Sequence, residues 1–303
     1  MPTESRQNMT EKRKGIILVL AAAAMFSTSG FLIKAVTADA FTVAFLRASI
    51  SGVAFIPFIK WKRIFKELRG PALKNYLCLA ASYILLTLCY VNATKMTTSA
   101  NAIILQCTAP LWLYIYYLIS GKKSFILKDF WPRLAILIGV GIILLDPVNL
   151  AGTSVNLTGL IGIGLAILSG IFYAIEQNYM ELSYPMDEIS KIGLINLMMG
   201  VVMIICCWNK ITITGLPATD WMMLTFLGIF QIGIPYAMLF AGVQIVSAFE
   251  ASVLVMVEPI LNPIWVAIFI GEIPTVHTII GFLCIFGGIM ISLLVGNKNK
   301  EVE

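Results

Sequence analysis

Ten apolar runs divide the chain almost from end to end, and they decide what it can fold into. They cover residues 15–36, 41–59, 73–93, 99–120, 134–145, 157–179, 189–208, 221–243, 248–270 and 275–295. A helix rising ~1.5 Å per residue crosses a hydrocarbon core of about 30 Å in about 20 residues. Nine of the runs have that length, and the fifth is shorter, bounded by Pro132 and Asp146-Pro147. The chain is 59% hydrophobic and 12% charged over its 303 residues, far from the balance of a water-soluble domain. A polytopic, all-α membrane protein of ten transmembrane helices follows. Although the first run comes after Lys12-Arg13-Lys14, as in a signal peptide, nine more runs follow it. It reads as the first membrane helix.

The basic residues set an orientation. Arg6, Lys12, Arg13 and Lys14 precede the first span, and Lys60, Lys62, Arg63, Lys66, Arg69 and Lys74 follow the second. Lys122, Lys123, Lys128 and Arg133 follow the fourth, and Lys298 and Lys300 the tenth. The opposite loops offer Lys34, Lys95 and Lys210. The positive-inside rule then places both termini in the cytoplasm. The 60–69 stretch meets the anionic inner leaflet, and the net charge of +5 reflects this asymmetry, with no nucleic-acid partner implied.

The halves echo one another at an offset of about 149 residues. Thr98-Ser99-Ala100-Asn101-Ala102 lies over Ser247-Ala248-Phe249-Glu250-Ala251, and Ala109-Pro110 over Glu258-Pro259. Gly121 falls near Gly271, and Gly141-Ile142-Ile143 over Gly288-Ile289-Met290. Five spans per repeat is an odd number, so the copies have opposite orientation in the membrane. The expected organisation is a cytoplasmic tail over 1–14, one five-helix repeat over 15–150, a second over 151–296, and a tail over 297–303.

Within that frame the polar residues of the spans are the functional candidates. Glu258 falls near mid-depth of the ninth span, where a charge costs about 2.5–3.5 kcal/mol on insertion scales. Pro259 and Pro263 remove donors and open the carbonyls of Val255 and Pro259. Open carbonyls beside an acid are tolerated only against protein or a water-filled cavity. Pro110 does the same for the Gln106 carbonyl in the fourth span, and Pro235 for that of Gln231 in the eighth. Helical spacing aligns Tyr83, Thr87 and Tyr90 in the third span, Asn101, Thr108 and Trp112 in the fourth, and Ser169, Tyr173 and Glu176 in the sixth. Aromatics beside a few amides suit an amphipathic organic solute, or equally a packed helix interface. Glu176 is a site acid or a polar residue near the exit. Arg47 snorkels, pairs with an acid, or binds an anionic group. Tyr114, Tyr116 and Tyr117 read as interfacial belt residues, Asn196 as scaffold, and Glu272 as an exposed end residue.

Several activities lack their motifs. There is no phosphate-cradling G-x-x-x-x-G-K-[ST], no G-x-S-x-G, no H-E-x-x-H and no paired CxxC. With a single histidine, His277, and six scattered cysteines, no metal, cofactor or enzymatic centre is expected; the cysteines read as free packed thiols.

Glu258-Pro259 with Gly271-Glu272, the run from Phe26 through Gly30 to Lys34, then Phe45-Leu46-Arg47, and the glycines that close the tenth span together resemble the drug/metabolite transporter superfamily, in its ten-helix EamA-type branch. Ser27-Thr28 stands where that family often has Trp-Gly, and Gly121-Lys122 where the second repeat has Gly271-Glu272. The resemblance implies two inverted five-helix repeats around a cavity lined mainly by helices one, three, four, six, eight and nine. It also implies efflux or exchange of small metabolites, amino acids or organic cations without ATP hydrolysis.

The expectation is a secondary transporter of a small-molecule solute, multi-pass in the bacterial inner membrane, surrounded by lipid and acting as a monomer or homodimer. Its expected substrate-binding residues are Tyr83, Tyr90, Asn101, Gln106, Trp112, Tyr173, Glu176, Gln231 and Glu258. Glu258 would neutralise a cationic group, carry a proton, or hold the repeats together.

Overall fold

A computed structural model describes residues 2–121, 127–146, 157–181, 186–246 and 248–300. The described residues are helical or loop, with no strand among them. Among the described residues nine helices are long and apolar enough to cross a membrane: α1 (Glu11–Ala35), α2 (Ala40–Phe58), α3 (Pro71–Met96), α4 (Ser99–Ile119), α6 (Leu157–Tyr179), α7 (Ile189–Lys210), α8 (Ala218–Val243), α9 (Val253–Ile270) and α10 (Val276–Leu294). The shorter apolar helix α5 (Phe130–Leu144) completes the ten. A short helix, Trp61–Glu67, carries much of the basic stretch after α2.

Two local expectations are corrected. The segment 1–14, expected as a tail apart from the first helix, is continuous with it, because the helix already starts at Pro2. Pro132 does not bound the fifth helix but lies inside it, in the stretch Leu127–Leu144. It is in the second turn, where its missing N–H leaves the Lys128 carbonyl without the usual intrahelical donor. Lys122, Lys123, the presumed repeat junction at 150/151 and most of the loop before α7 lie outside the described residues.

Side-chain caps start several helices. The Asp39 carboxylate accepts from the N–H groups of Phe41 (2.8 Å) and Thr42 (3.0 Å) ahead of α2. Thr98 Oγ1 accepts from Asn101 N–H (3.1 Å) ahead of α4, and Asp187 from Ser190 N–H (3.3 Å) ahead of α7. Each satisfies a donor that the first turn leaves open.

The chain forms two compact units, and each draws on both halves of the sequence. The first comprises Met1–Arg69 and Tyr184–Trp265. In it α1 packs on α8 and on the segment Ala248–Val255 that leads into α9, while α2 packs on α7 and on the middle of α8. Glycines allow the close approach: a Cβ on Gly52 would meet the Leu197 nitrogen at 2.7 Å, and one on Gly228 the Arg47 carbonyl at 2.9 Å. Polar ties close the end where α1 gives way to α2. Asp220 accepts from Thr37 N–H (2.9 Å), Thr37 Oγ1 (2.7 Å) and Ala38 N–H (3.3 Å). At the other end Lys12 pairs with Glu250 (2.7 Å) and Lys60 with Asp187 (3.5 Å).

The second unit comprises Gly70–Ser183 and Val266–Glu303. Here α6 packs on α3 and α4, and α5 on α10. Gly139 and Gly281 face each other, each close to the other's carbonyl oxygen. Glu272 Oε1 accepts the Ser99 N–H (2.6 Å), Thr278 Oγ1 donates to Asn101 Oδ1 (2.9 Å), and Thr275 Oγ1 donates to the buried Asp146.

The helix pairs reveal the internal duplication. Advancing each helix by five turns the α1–α8 pair into α6–α3, and the pairing of α1 with the start of α9 into α6–α4. The α2–α7 and α5–α10 pairs map onto themselves. Two copies of a five-helix motif produce this pattern.

Candidate functional site

The prolines seen in the sequence mark three interruptions. In α4 the helix stops at Gln106 and resumes at Ala109, one residue before Pro110. Thr108 Oγ1 donates to the Leu105 carbonyl (2.6 Å) and accepts from Trp112 Nε1 (3.0 Å), so side chains bridge the broken turn. The Gln106 side-chain oxygen is enclosed and has no hydrogen-bond partner.

In the ninth span the segments Ala248–Val255 and Val257–Ile270 are separated by Met256. Met256 N–H reaches the Val253 carbonyl at 3.2 Å, a tighter turn than an α-helix makes. Glu258 follows at once. It is partly buried and has no hydrogen-bond or ion-pair partner among the described residues. Further along, Asn262 is fully buried and donates to Ser29 Oγ (3.2 Å), and Trp265 Nε1 donates to Ser27 Oγ (3.0 Å). Both acceptors flank a break in the first helix, which ends at Phe26 and restarts at Ser29. Ser27, at the position where the resembled family often has Trp, thus ties that break to the ninth span.

In α8, Pro235 is preceded by a π-helical stretch, Leu227–Gly233. Such stretches occur mainly as single bulges and often at functional sites. Gln231 sits inside it, with Nε2 3.5 Å from the Phe26 carbonyl and its buried side-chain oxygen unpartnered.

In the second unit, Tyr83, Thr87 and Tyr90 form one buried stripe on α3. On α6, Ser169 and Glu176 are buried and Tyr173 partly so. Glu176 is 3% exposed, and its Oε2 has no partner. Asn101 is engaged by Thr278 and reads as part of the tie that holds α10 to α4.

A cavity of about 450 Å³ opens between α4 and α6, lined by residues that include Trp112, Tyr116, Ile175, Asn178 and Tyr179. Of the residues expected to bind solute, it collects Trp112 alone. Ile171, Ile175 and Asn178 occupy a different stripe of α6 from Ser169, Tyr173 and Glu176. Sequence reasoning missed Tyr116, Asn178 and Tyr179. Tyr116 lies one turn beyond Trp112, the signal that would have found it. Tyr117 donates to Asn178 Oδ1 at 3.3 Å. Tyr114 is buried with the Arg133 guanidinium 3.8 Å from its ring centroid, so it is a packed residue and not part of an interfacial belt. The described residues hold no group of three His, Cys, Asp or Glu side chains placed to bind a metal.

Comparison with known proteins gives these interruptions their setting. The model of the EamA-like transporter family matches twice, over residues 13–145 and 160–294. An uncharacterized transporter of Archaeoglobus fulgidus is 23% identical over 286 residues, covering 92% of this chain and 96% of its own. An uncharacterized transporter of Clostridium kluyveri is 24% identical over 310 residues, covering 96% of both chains. A solved structure described only as the crystal structure of a protein shares the fold, with a TM-score of 0.61 at 15% identity, over 93% of this chain and 98% of that one. With a family match in each half and ten apolar helices arranged as two copies of one motif, this multi-pass membrane protein belongs to the EamA-like transporter family.

Proposed function

We propose that the protein is a secondary transporter that exports a small amphipathic metabolite, an amino acid or a related compound, from a bacterial cytoplasm by alternating access. The observation that carries this reading is the matched interruption of α4 and the ninth span. Both break just ahead of a proline at equivalent places in the two repeats, and both present an unpartnered polar side chain there, Gln106 and Glu258. Interrupted helices in corresponding positions of two repeats are the signature of a solute site in secondary transporters.

In this reading the open backbone and side-chain groups of Gln231 and Glu258, which belong to one unit, meet the polar part of the solute. Aromatic side chains cover its apolar part. Glu258 is the group through which proton coupling would operate, because it is the carboxyl at a break and nothing in the described structure pairs with it. The loops rich in Lys and Arg keep both termini on the cytoplasmic side.

Proteoliposome counterflow with amino acids and organic amines tests the proposal. Exchange of labelled solute that is lost in Glu258→Gln supports it. Absence of exchange for every solute that raises the thermal stability of the purified protein overturns it. A rate unaffected by an imposed pH gradient removes the proton role while leaving transport intact.

A further inference from the structure

Arg47 lies seven residues into α2, about 10 Å along the helix from its start. It is 6% exposed, and its Nε and Nη1 are enclosed without a hydrogen-bond acceptor. One turn later on the same face, Ser51 is fully buried and its hydroxyl is also unpartnered. The π-helical stretch of α8 presses on this part of α2, with Gly228 against the Arg47 carbonyl and Ile50. Gln231, in the same stretch, keeps an unpartnered oxygen.

A guanidinium cannot escape burial by losing its proton. A buried cation therefore needs an anion. Four acids of this unit are engaged elsewhere. Asp39 caps α2, Asp187 pairs with Lys60, Asp220 holds Thr37 and Ala38, and Glu250 pairs with Lys12. Glu258, in the same unit, forms no ion pair with Arg47. A group of donors, two guanidinium nitrogens and a hydroxyl, is thus held inside the membrane-spanning part of the protein with no acceptor among the described residues. The fork of an arginine matches the two oxygens of a carboxylate.

We propose that Arg47 and Ser51 form a subsite for the carboxylate of the transported solute, which makes the solute an amino acid or another small carboxylate and excludes purely cationic compounds. The inference rests on the transporter reading and adds its substrate class. Glu258, an acid without a partner in the same unit, is then available for the ammonium of such a solute.

The test is thermal unfolding of the purified full-length protein with a panel of L-amino acids, each beside its own carboxamide, followed by counterflow of the same pairs in proteoliposomes. The expected result is that at least one acid raises the apparent melting temperature and its amide does not. Arg47→Gln should remove that shift. Arg47→Lys, which keeps the charge and loses the fork, should raise the concentration needed about tenfold. Should Arg47→Gln fail to fold, Ser51→Ala and the acid–amide comparison in the unaltered protein still decide. Equal shifts from acid and amide overturn the subsite, as does retention of the shift in Arg47→Gln. If amides or amines are exchanged as well as the acids, the subsite falls while the transporter stands. If no member of the panel binds or moves, the subsite falls, and other organic solutes decide the transporter reading.

Discussion

The fourth and ninth helices hold the same place in their repeats and break in the same way, yet they do not carry the same chemistry. Both stop just short of a proline, at Gln106 and at Val255, and resume almost at once. Both are followed by a glycine with positive φ, 67° at Gly121 and 77° at Gly271. In α4, however, Thr108 and Trp112 close the broken turn with their own side chains, and the polar group beside it is a neutral amide. In the ninth span the group beside the break is a carboxyl with no described partner. Proline decides where the backbone opens, and the neighbouring side chain decides what the opening can bind. Duplication has preserved the first and diversified the second.

The sharpest way to break this comparison is to remove the polar group from each interruption. Bonds to a charged group contribute about 1.5–3 kcal/mol and those between neutral groups about 1 kcal/mol. In initial counterflow rates, Glu258→Gln is therefore expected to cost about 10- to 150-fold and Gln106→Ala about fivefold. Equal losses would mean that the two breaks do the same work.

A second substitution pushes on one break only. A Cβ on Gly170 of α6 would stand 2.9 Å from the Leu105 carbonyl and 3.0 Å from Thr108 Oγ1, at the interrupted turn of α4. Gly170→Ala should lower stability by about 1–3 kcal/mol as the turn shifts, with tryptophan fluorescence reporting the move of Trp112. An unchanged melting temperature and spectrum would show that the turn yields freely.

The terminal glycines offer a symmetric test. Among the described residues beyond its chain neighbours, neither has an atom within 4 Å of its missing Cβ, so backbone strain is what opposes a side chain there. Gly121→Ala and Gly271→Ala should each cost about 1–2 kcal/mol, and by similar amounts, in thermal unfolding in detergent. The smallest effect is expected from Glu272→Gln. It weakens the cap on Ser99 N–H at the start of α4 and should cost up to about 1 kcal/mol, with no loss of transport beyond that of a mildly destabilised control.

Much of this was legible in the sequence, for a physical reason. A bilayer demands long apolar helices, and prolines within them cannot hide, so the ten runs and the sites of interruption could be read directly. The fates of particular side chains were harder. Glu272 looked like an exposed end residue, but its carboxylate caps a helix 173 positions away in the chain. Asp220 resembles any loop acid until it is seen to collect Thr37 and Ala38 from across its unit. Periodicity also could not say which stripe of α6 faces which neighbour. Lipid tails and protein interiors are equally apolar, so both faces of a membrane helix can carry the same residues. Hence Ile175 and Asn178 line a cavity that the pattern did not single out, whereas Tyr83 and Tyr90 are packed away. The thiols divide similarly: Cys206 is exposed and the other five partly buried.

The chain passes from one compact unit to the other after Arg69, after Ser183 and after Trp265. This has a bearing on biogenesis. When the ribosome has delivered only the first two hairpin-forming segments to the insertion machinery, α1 and α2 lack α8 and α7, the neighbours against which their glycines are shaped. They must wait in the bilayer as separate, inserted rods until translation is well into the second repeat, and a message truncated at mid-length would yield a product with neither unit assembled.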